Sequence, residues 1–268
     1  MNVSSDPRLL AFQRLLDIMD DLREKCPWDR EQTMESLRHL TIEETYELGD
    51  AILQNDLQEV KKELGDLALH IVFYAKIGKE KEAFDIADVL NGICDKLIVR
   101  HPHIYGDVKA DTPEQVKQNW EQIKLKEGRK SVLEGVPKGL PALVKAQRIQ
   151  DKAAGVGFDW DHAEQVWDKV QEELAELRAE VQSGNAAKTE EEMGDVFFAL
   201  VNYARFLKVN PEDALERTNT KFIHRFSFME KAISAEGKSM NDMSLRELDV
   251  YWNLSKKAES SPNKEGTE

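Results

Sequence analysis

Glu43-Glu44-Thr45-Tyr46-Glu47, followed by Glu63-Leu64-Gly65-Asp66, returns later in the chain as Glu172-Glu173-Leu174-Ala175-Glu176 followed by Glu192-Met193-Gly194-Asp195. In both copies twenty residues separate the first Glu from the Glu that opens the second half. Within each half the acids recur at spacings of three and four, which a helical period brings onto one face. Such a face is electrostatically poor by itself, because like charges so placed repel by roughly a few tenths of a kcal/mol per pair. Carboxylates converging from two helices therefore need a positive charge between them, and a hard divalent cation supplies it. A very acidic chain also carries solvated Glu pairs for no purpose, but recurrence at identical spacing argues against that reading.

Outward from these motifs the apolar pattern stays helical. Asp6-Pro7 reads as a cap and first turn, and Leu9 to Leu22 forms a broad apolar stripe. Cys26-Pro27-Trp28-Asp29 breaks that stripe. The first acidic helix is expected to begin near Asp29 or Thr33, with Asn55-Asp56 as the turn into the helix of Glu63 and Asp66. A fourth helix is expected over about 83–99, ending at His101-Pro102-His103. Asp111-Thr112-Pro113 reads as another helix start, with Trp120 on that helix and Gly128 near its end.

Gly and Pro crowd the stretch from Lys126 to Pro141, where the domain boundary is expected: 1–130 as the first domain and 131–259 as the second. The second half replays the first. An opening helix over 140–152 leads to Gly155-Val156-Gly157 and then Trp160-Asp161, the counterpart of Trp28-Asp29. The acidic helix, the turn Ser183-Gly184-Asn185, the second acidic helix and a helix opened by Asn210-Pro211 follow. No alternating strand pattern persists anywhere. The expectation is an all-α protein built from two tandem units of about four helices, the product of an internal duplication, with a disordered tail over 260–268.

Bulk properties bound the function. A chain of 268 residues has room for two domains with cores of their own. A formal charge of −14 argues against binding nucleic acid or an anionic membrane, both of which need basic surface. Cys26 and Cys94 form neither a CxxC pair nor a disulfide framework, which points to a reducing compartment. The N-terminus lacks a basic region followed by an apolar core, and the apolar stretch 196–207 is too short to span a bilayer. A cytoplasmic location is expected.

The residues support a specific chemistry. Glu173, Glu176, Glu192 and Asp195 could surround one or two Mg²⁺ ions, which favour octahedral oxygen coordination and share their shell with substrate phosphates. Glu172 is the candidate base for a metal-activated water. Lys221 and Arg225, one helical turn apart, could meet the same anion, although a solvated basic face has the same spacing. Trp252 could stack on a base, but packing against its own domain is the favoured role.

The doubled EExxE…ExxD pattern, the Lys221/Arg225 helix and Trp252 resemble the MazG family of nucleoside triphosphate pyrophosphohydrolases. The acidic pattern alone marks a wider all-α superfamily; the duplication and Cys26-Pro27-Trp28-Asp29 narrow the resemblance to MazG. It covers nearly the whole chain. It implies a homodimer that hydrolyses NTPs to NMP and pyrophosphate with Mg²⁺, Mn²⁺ being a possible substitute, and with broad base tolerance. It also implies clearance of aberrant or excess NTPs. It implies metal binding by Glu173, Glu176, Glu192 and Asp195, with Glu172 and Glu173 in the catalytic machinery. Nucleotide contacts are implied for Lys169, Val170, Gln171, Glu172 and Glu173, for Lys188, Thr189, Glu190, Glu191 and Asp195, and for Lys221, Arg225 and Trp252. The C-terminal copy is the expected catalytic one. Yet the first copy keeps every acid, Glu43, Glu44, Glu47, Glu63 and Asp66, and so offers a possible second metal site.

Other readings fare worse. A di-iron carboxylate bundle needs Glu-x-x-His on two helices, which is absent. No GxxxxGK[ST] loop is present, and Gly155-x-Gly157 lacks the flanking strand of a dinucleotide fingerprint. Two alternatives stay open: a narrow pyrophosphatase for dCTP, dUTP or phosphoribosyl-ATP, and a non-enzymatic helical module whose acidic faces bind a basic partner. The first usually has one copy of the motif. The second predicts gradual weakening, rather than abrupt loss, when single acids are neutralised.

Overall fold

The computed structural model describes residues 6–113, 115, 116, 119, 120, 123 and 131–260. Among these residues there is no strand, and the chain forms two compact all-α units, Met1–Gly128 and Arg129–Glu268. Most of the helix expected over 111–128, and the tail beyond Ser260, lie outside the described residues. Thr112 does cap that helix start, its Oγ1 accepting the Gln115 N–H at 3.3 Å.

Helix α1 (Pro7–Lys25) opens as expected, with Asp6 as N-cap and Pro7 at the first position. The Cys-Pro-Trp-Asp break is more structured than the sequence suggested. Pro27, whose missing N–H costs nothing in a first turn, opens a five-residue helix α2 (Pro27–Glu31). The acidic helix α3 (Met34–Gln54) therefore begins at Thr33 and not Asp29, through a capping box in which Thr33 and Ser36 satisfy each other's backbone N–H groups. Asn55 ends it in the left-handed region, φ 56°, and Asp56 caps α4 (Leu57–Glu80) by accepting the N–H groups of Gln58 and Glu59. Two residues thus turn the chain back on itself, and the second acidic set returns beside the first.

Helix α5 (Ile86–Arg100) starts three residues later than expected, because Asp85 and Asp88 form its capping box. Short α6 (Pro102–Tyr105) follows. Met19, Leu37, Val72, Phe73 and Ile77, from α1, α3 and α4, form the buried core of this unit. Each such side chain contributes about 1.5–3 kcal/mol by leaving water.

The second unit repeats the plan. Helix α7 (Ala142–Ala154) begins after Pro141, two residues beyond the expected start, because the proline cannot extend a helix behind it. Helix α8 (Ala163–Ser183) ends at Gly184, φ 74°, and Asn185 caps α9 (Ala186–Phe206). Asn210 caps α10 (Pro211–Ala235), and α11 (Leu245–Ser260) packs on it through Met229, Ile233 and Tyr251. The stretch 196–207 lies largely within α9, and no helix among the described residues is long and apolar enough to cross a membrane.

Candidate functional site

The α8–α9 hairpin delivers its acids to one place. Glu173 and Glu176 from α8 and Glu192 from α9 each offer a carboxylate oxygen, and the three oxygens lie within 4.8 Å of one another. The donor set is oxygen only, without His or Cys, which suits a hard cation over zinc. Asp195 stands outside the triad, yet its charge acts on the site. Partial removal from water, followed by the charges of Glu176, Asp195 and Glu173, raises the Glu192 carboxyl above its ordinary pKa.

The α3–α4 hairpin builds a related but different triad: Glu44, Glu63 and Asp66, again within 4.8 Å. Here the ExxD aspartate joins, while Glu47 acts only through its charge and Glu43 stays out. The Glu44 carboxyl is pushed up, first by burial and then by Asp66 and Glu47. Glu63 is 2% exposed, and its Oε2 has no hydrogen-bond partner, while Oε1 meets Lys62 at 3.1 Å. A buried, unpartnered carboxylate oxygen is expensive for the fold, and a cation is the economical way to satisfy it. The residues of both hairpins therefore fit a divalent metal.

The two hairpins differ in the cation they already hold. In the second, Lys169 Nζ lies 2.7 Å from both Glu172 and Glu173, and those bonds hold its ammonium well above the usual lysine pKa. Glu172, the candidate base, sits outside the triad on this lysine. Val170 is fully buried, while Gln171 is exposed. The stretch 169–173 is an interior turn of α8, with Glu173 itself 7% exposed.

Lys188, Thr189, Glu190 and Glu191 form the first turns of α9. Lys188 faces Glu180 at 3.6 Å, and Thr189 Oγ1 donates to the Asn185 carbonyl. Lys221 is exposed on α10. Arg225 is engaged by Glu259, with its Nε at 2.9 Å and Nη2 at 2.7 Å from one carboxylate oxygen, and lies 5.9 Å from the Trp252 ring centre. Trp252 packs as favoured, half-buried beside the core formed by Met229, Ile233 and Tyr251, 5.1 Å from the Phe222 ring. Among the described residues no ion pair links this group to the acidic triad.

Glu259, which pairs with Arg225, is the neighbour of a candidate site residue that sequence reasoning missed. It follows Arg225 by 34 residues and belongs to another helix, so no local spacing ties the two together.

Comparison with known proteins bears on this geometry. The family described as "MazG nucleotide pyrophosphohydrolase domain" matches residues 32–105 and 162–227, one match on each acidic hairpin. The chain is 43% identical to the nucleoside triphosphate pyrophosphohydrolase of Escherichia coli K12, over 92% of this chain and 98% of that one. It is likewise 43% identical to the nucleoside triphosphate pyrophosphohydrolase/pyrophosphatase MazG of Thermotoga maritima, over 92% and 96%. The uncharacterized protein YabN of Bacillus subtilis is 44% identical over 92% of this chain, which spans 52% of that protein.

Proposed function

Since the chain belongs to the MazG nucleotide pyrophosphohydrolase family, we propose that it hydrolyses nucleoside triphosphates to the monophosphate and pyrophosphate in its second unit. The convergence of Glu173, Glu176 and Glu192 from two helices within 4.8 Å carries this reading. These three, with Asp195 beside them, would hold Mg²⁺, or Mn²⁺ in its place. The bound cation would offset phosphate charge and lower the pKa of a coordinated water.

The chain's own groups do the rest. Glu172, free of the triad, accepts the proton of the attacking water. Lys169 bridges Glu172 and Glu173 with a full positive charge. On substrate binding its ammonium, still protonated, turns from the carboxylates to a phosphate oxygen and leaves both carboxylates to their tasks. Lys221 adds a second cation from α10. Arg225, fixed by Glu259, holds the α10–α11 edge rigid beside Trp252. The first unit, with its own triad, is assigned a structural part. Broad base tolerance, clearance of aberrant or excess NTPs, a cytoplasmic location and a homodimeric state belong to the same reading.

A panel of canonical and modified NTPs, run on wild type, Glu44→Ala/Glu47→Ala and Glu173→Ala/Glu176→Ala, tests it. Turnover is expected to survive the first pair of changes and to vanish with the second, and to stop in excess EDTA. If Glu173→Ala/Glu176→Ala keeps most of the turnover, the site assignment is wrong. Turnover confined to one pyrimidine triphosphate would favour the narrow enzyme instead.

A further inference from the structure

Glu259 stands in the last turn of α11, where a carboxylate meets the negative end of the helix dipole. Its own helix does not favour it there; its partners on α10 do. Arg225 donates from Nε at 2.9 Å and from Nη2 at 2.7 Å to one Glu259 oxygen, and His224 Nδ1 lies 3.2 Å from the other. The Arg225 guanidinium first, and His224 after it, hold the Glu259 carboxyl below its ordinary pKa, so it is ionised at neutral pH.

Two guanidinium donors converging on one anionic oxygen is also how arginine takes a phosphate oxygen. Lys221, one turn earlier on α10, is exposed and makes no ion pair among the described residues. Of these two neighbouring cations, one is open and the other already holds an anion that the chain itself supplies. The Arg225 and Glu259 side chains keep access to water, at 19% and 27% exposure, and ion pairs with such access hold weakly. Opening the clasp does not strand Arg225, because its guanidinium lies 5.9 Å from the Trp252 ring centre, within reach of a cation–π contact.

The first unit carries the same spacing. Glu127 follows Trp120 by seven residues, as Glu259 follows Trp252, and Lys96-x-x-x-Arg100 precedes the one as Lys221-x-x-x-Arg225 precedes the other. Glu127 itself lies outside the described residues. The recurrence makes this carboxylate part of the plan of the unit and not an accident of the C-terminus.

We propose that Glu259 is a built-in competitor for the substrate: its carboxylate occupies a phosphate position on Arg225, and a bound polyphosphate takes that position by displacing it. The proposal rests on the pyrophosphohydrolase reading above. In the resting chain the clasp steadies the α10–α11 edge. Glu259 has the advantage of attachment to the same chain, but it brings one negative charge and does not reach Lys221. A triphosphate brings several charges and, on that reading, meets Lys221 and Lys169 as well, so its contact with Arg225 forms at high effective concentration. After hydrolysis the balance reverses. Pyrophosphate has lost its link to the nucleoside, and the returning carboxylate helps to expel it.

Binding of inorganic tripolyphosphate tests the clasp apart from catalysis. It is titrated in EDTA into the full-length wild type, Glu259→Gln, Arg225→Gln and the double variant, and followed by calorimetry, with circular dichroism checking that each protein is folded. Glu259→Gln is expected to bind about five-fold more tightly than wild type, the scale on which a water-accessible ion pair competes. Arg225→Gln is expected to bind more weakly, and adding Glu259→Gln to it should change nothing. In turnover assays with Mg²⁺, inhibition by added pyrophosphate is expected to strengthen about five-fold in Glu259→Gln. Weaker tripolyphosphate binding by Glu259→Gln, the result for a strut that only steadies Arg225, would overturn the proposal. So would equal affinity in wild type and Glu259→Gln, or a gain that persists without Arg225. Should Glu259→Gln fail to fold, Glu259→Asp, which draws the charge back by one methylene, is read by the same criteria. Tighter binding by Glu259→Gln with no NTP turnover in wild type would sink the hydrolase reading and leave the competitor standing.

Discussion

At the scale of single residues, the acidic hairpins are built against their own electrostatics. Glu44 and Glu192 both titrate above the ordinary carboxylate value of 4.5, through burial first and neighbouring carboxylates second. A carboxyl whose folded pKa is raised binds protons more readily in the folded state than in the unfolded one. Its contribution to stability is therefore fully present below pH 4.5 and is lost as pH climbs through the raised folded value. A metal that binds only the folded protein acts in the opposite direction, adding about 2.7 kcal/mol at a hundred times its dissociation constant. The expected result is a metal-free protein whose Tm rises on adding Mg²⁺ at pH 8 and hardly responds at pH 4, below the raised values of Glu44 and Glu192. Thermal scans of EDTA-treated protein at the two pH values measure this. A Tm increase of equal size at both pH values would contradict carboxylate ligation. The doubled motif made these acids legible in the sequence. Which three would converge was not legible, because side-chain aim within a helix pair depends on crossing geometry that spacing does not encode. Hence Asp66 joins one triad and Asp195 stays outside the other.

At the scale of elements, the polar residues between helices set the register that brings the acids together. Asp56 accepts N–H groups from Gln58 at 3.0 Å and Glu59 at 3.1 Å, and Asn55 takes the left-handed conformation that lets α4 reverse within two residues. Removing the cap as Asp56→Ala is expected to lower stability by about 1 kcal/mol, read from the denaturation midpoint. Asn55→Gly should be nearly neutral, because glycine reaches that conformation without strain. A cost for Asn55→Gly equal to that for Asp56→Ala would show that the asparagine side chain, and not the backbone, holds the turn. Caps of this kind were readable in advance: Asp6, Asn55-Asp56, Gly184 and Asn210 all stand where turn chemistry put them. The start of α7 and the short α2 were not, because Pro27 and Pro141 can open a helix or simply interrupt one, and only packing decides. The Arg225–Glu259 bridge is a tertiary contact between α10 and α11 and leaves no trace in local pattern.

At the scale of the whole chain, duplication has produced two acidic hairpins with different internal counter-charges. In the second, Lys169 sits on Glu173, so an incoming cation must displace an ammonium. In the first, Leu40 occupies the place of Lys169 at the same 129-residue offset; Lys62 meets only Glu63 Oε1, at 3.1 Å, and Glu63 Oε2 is left without a partner. Displacing a bound ammonium opposes metal binding, whereas relieving an orphaned carboxylate favours it. Without nucleotide, the first unit is therefore expected to bind the cation more tightly, although the second is the proposed seat of turnover. With nucleotide, phosphate oxygens take over Lys169 and complete the metal shell, and the second site should tighten. Mn²⁺ titration followed by electron paramagnetic resonance can resolve the two. Two sites per chain are expected, the tighter one abolished by Glu63→Gln and the weaker by Glu192→Gln. A non-hydrolysable NTP analogue should strengthen the Glu192-dependent site and leave the Glu63-dependent site as it was. If the analogue tightens both sites alike, the two units share substrate and the structural role given to the first unit fails.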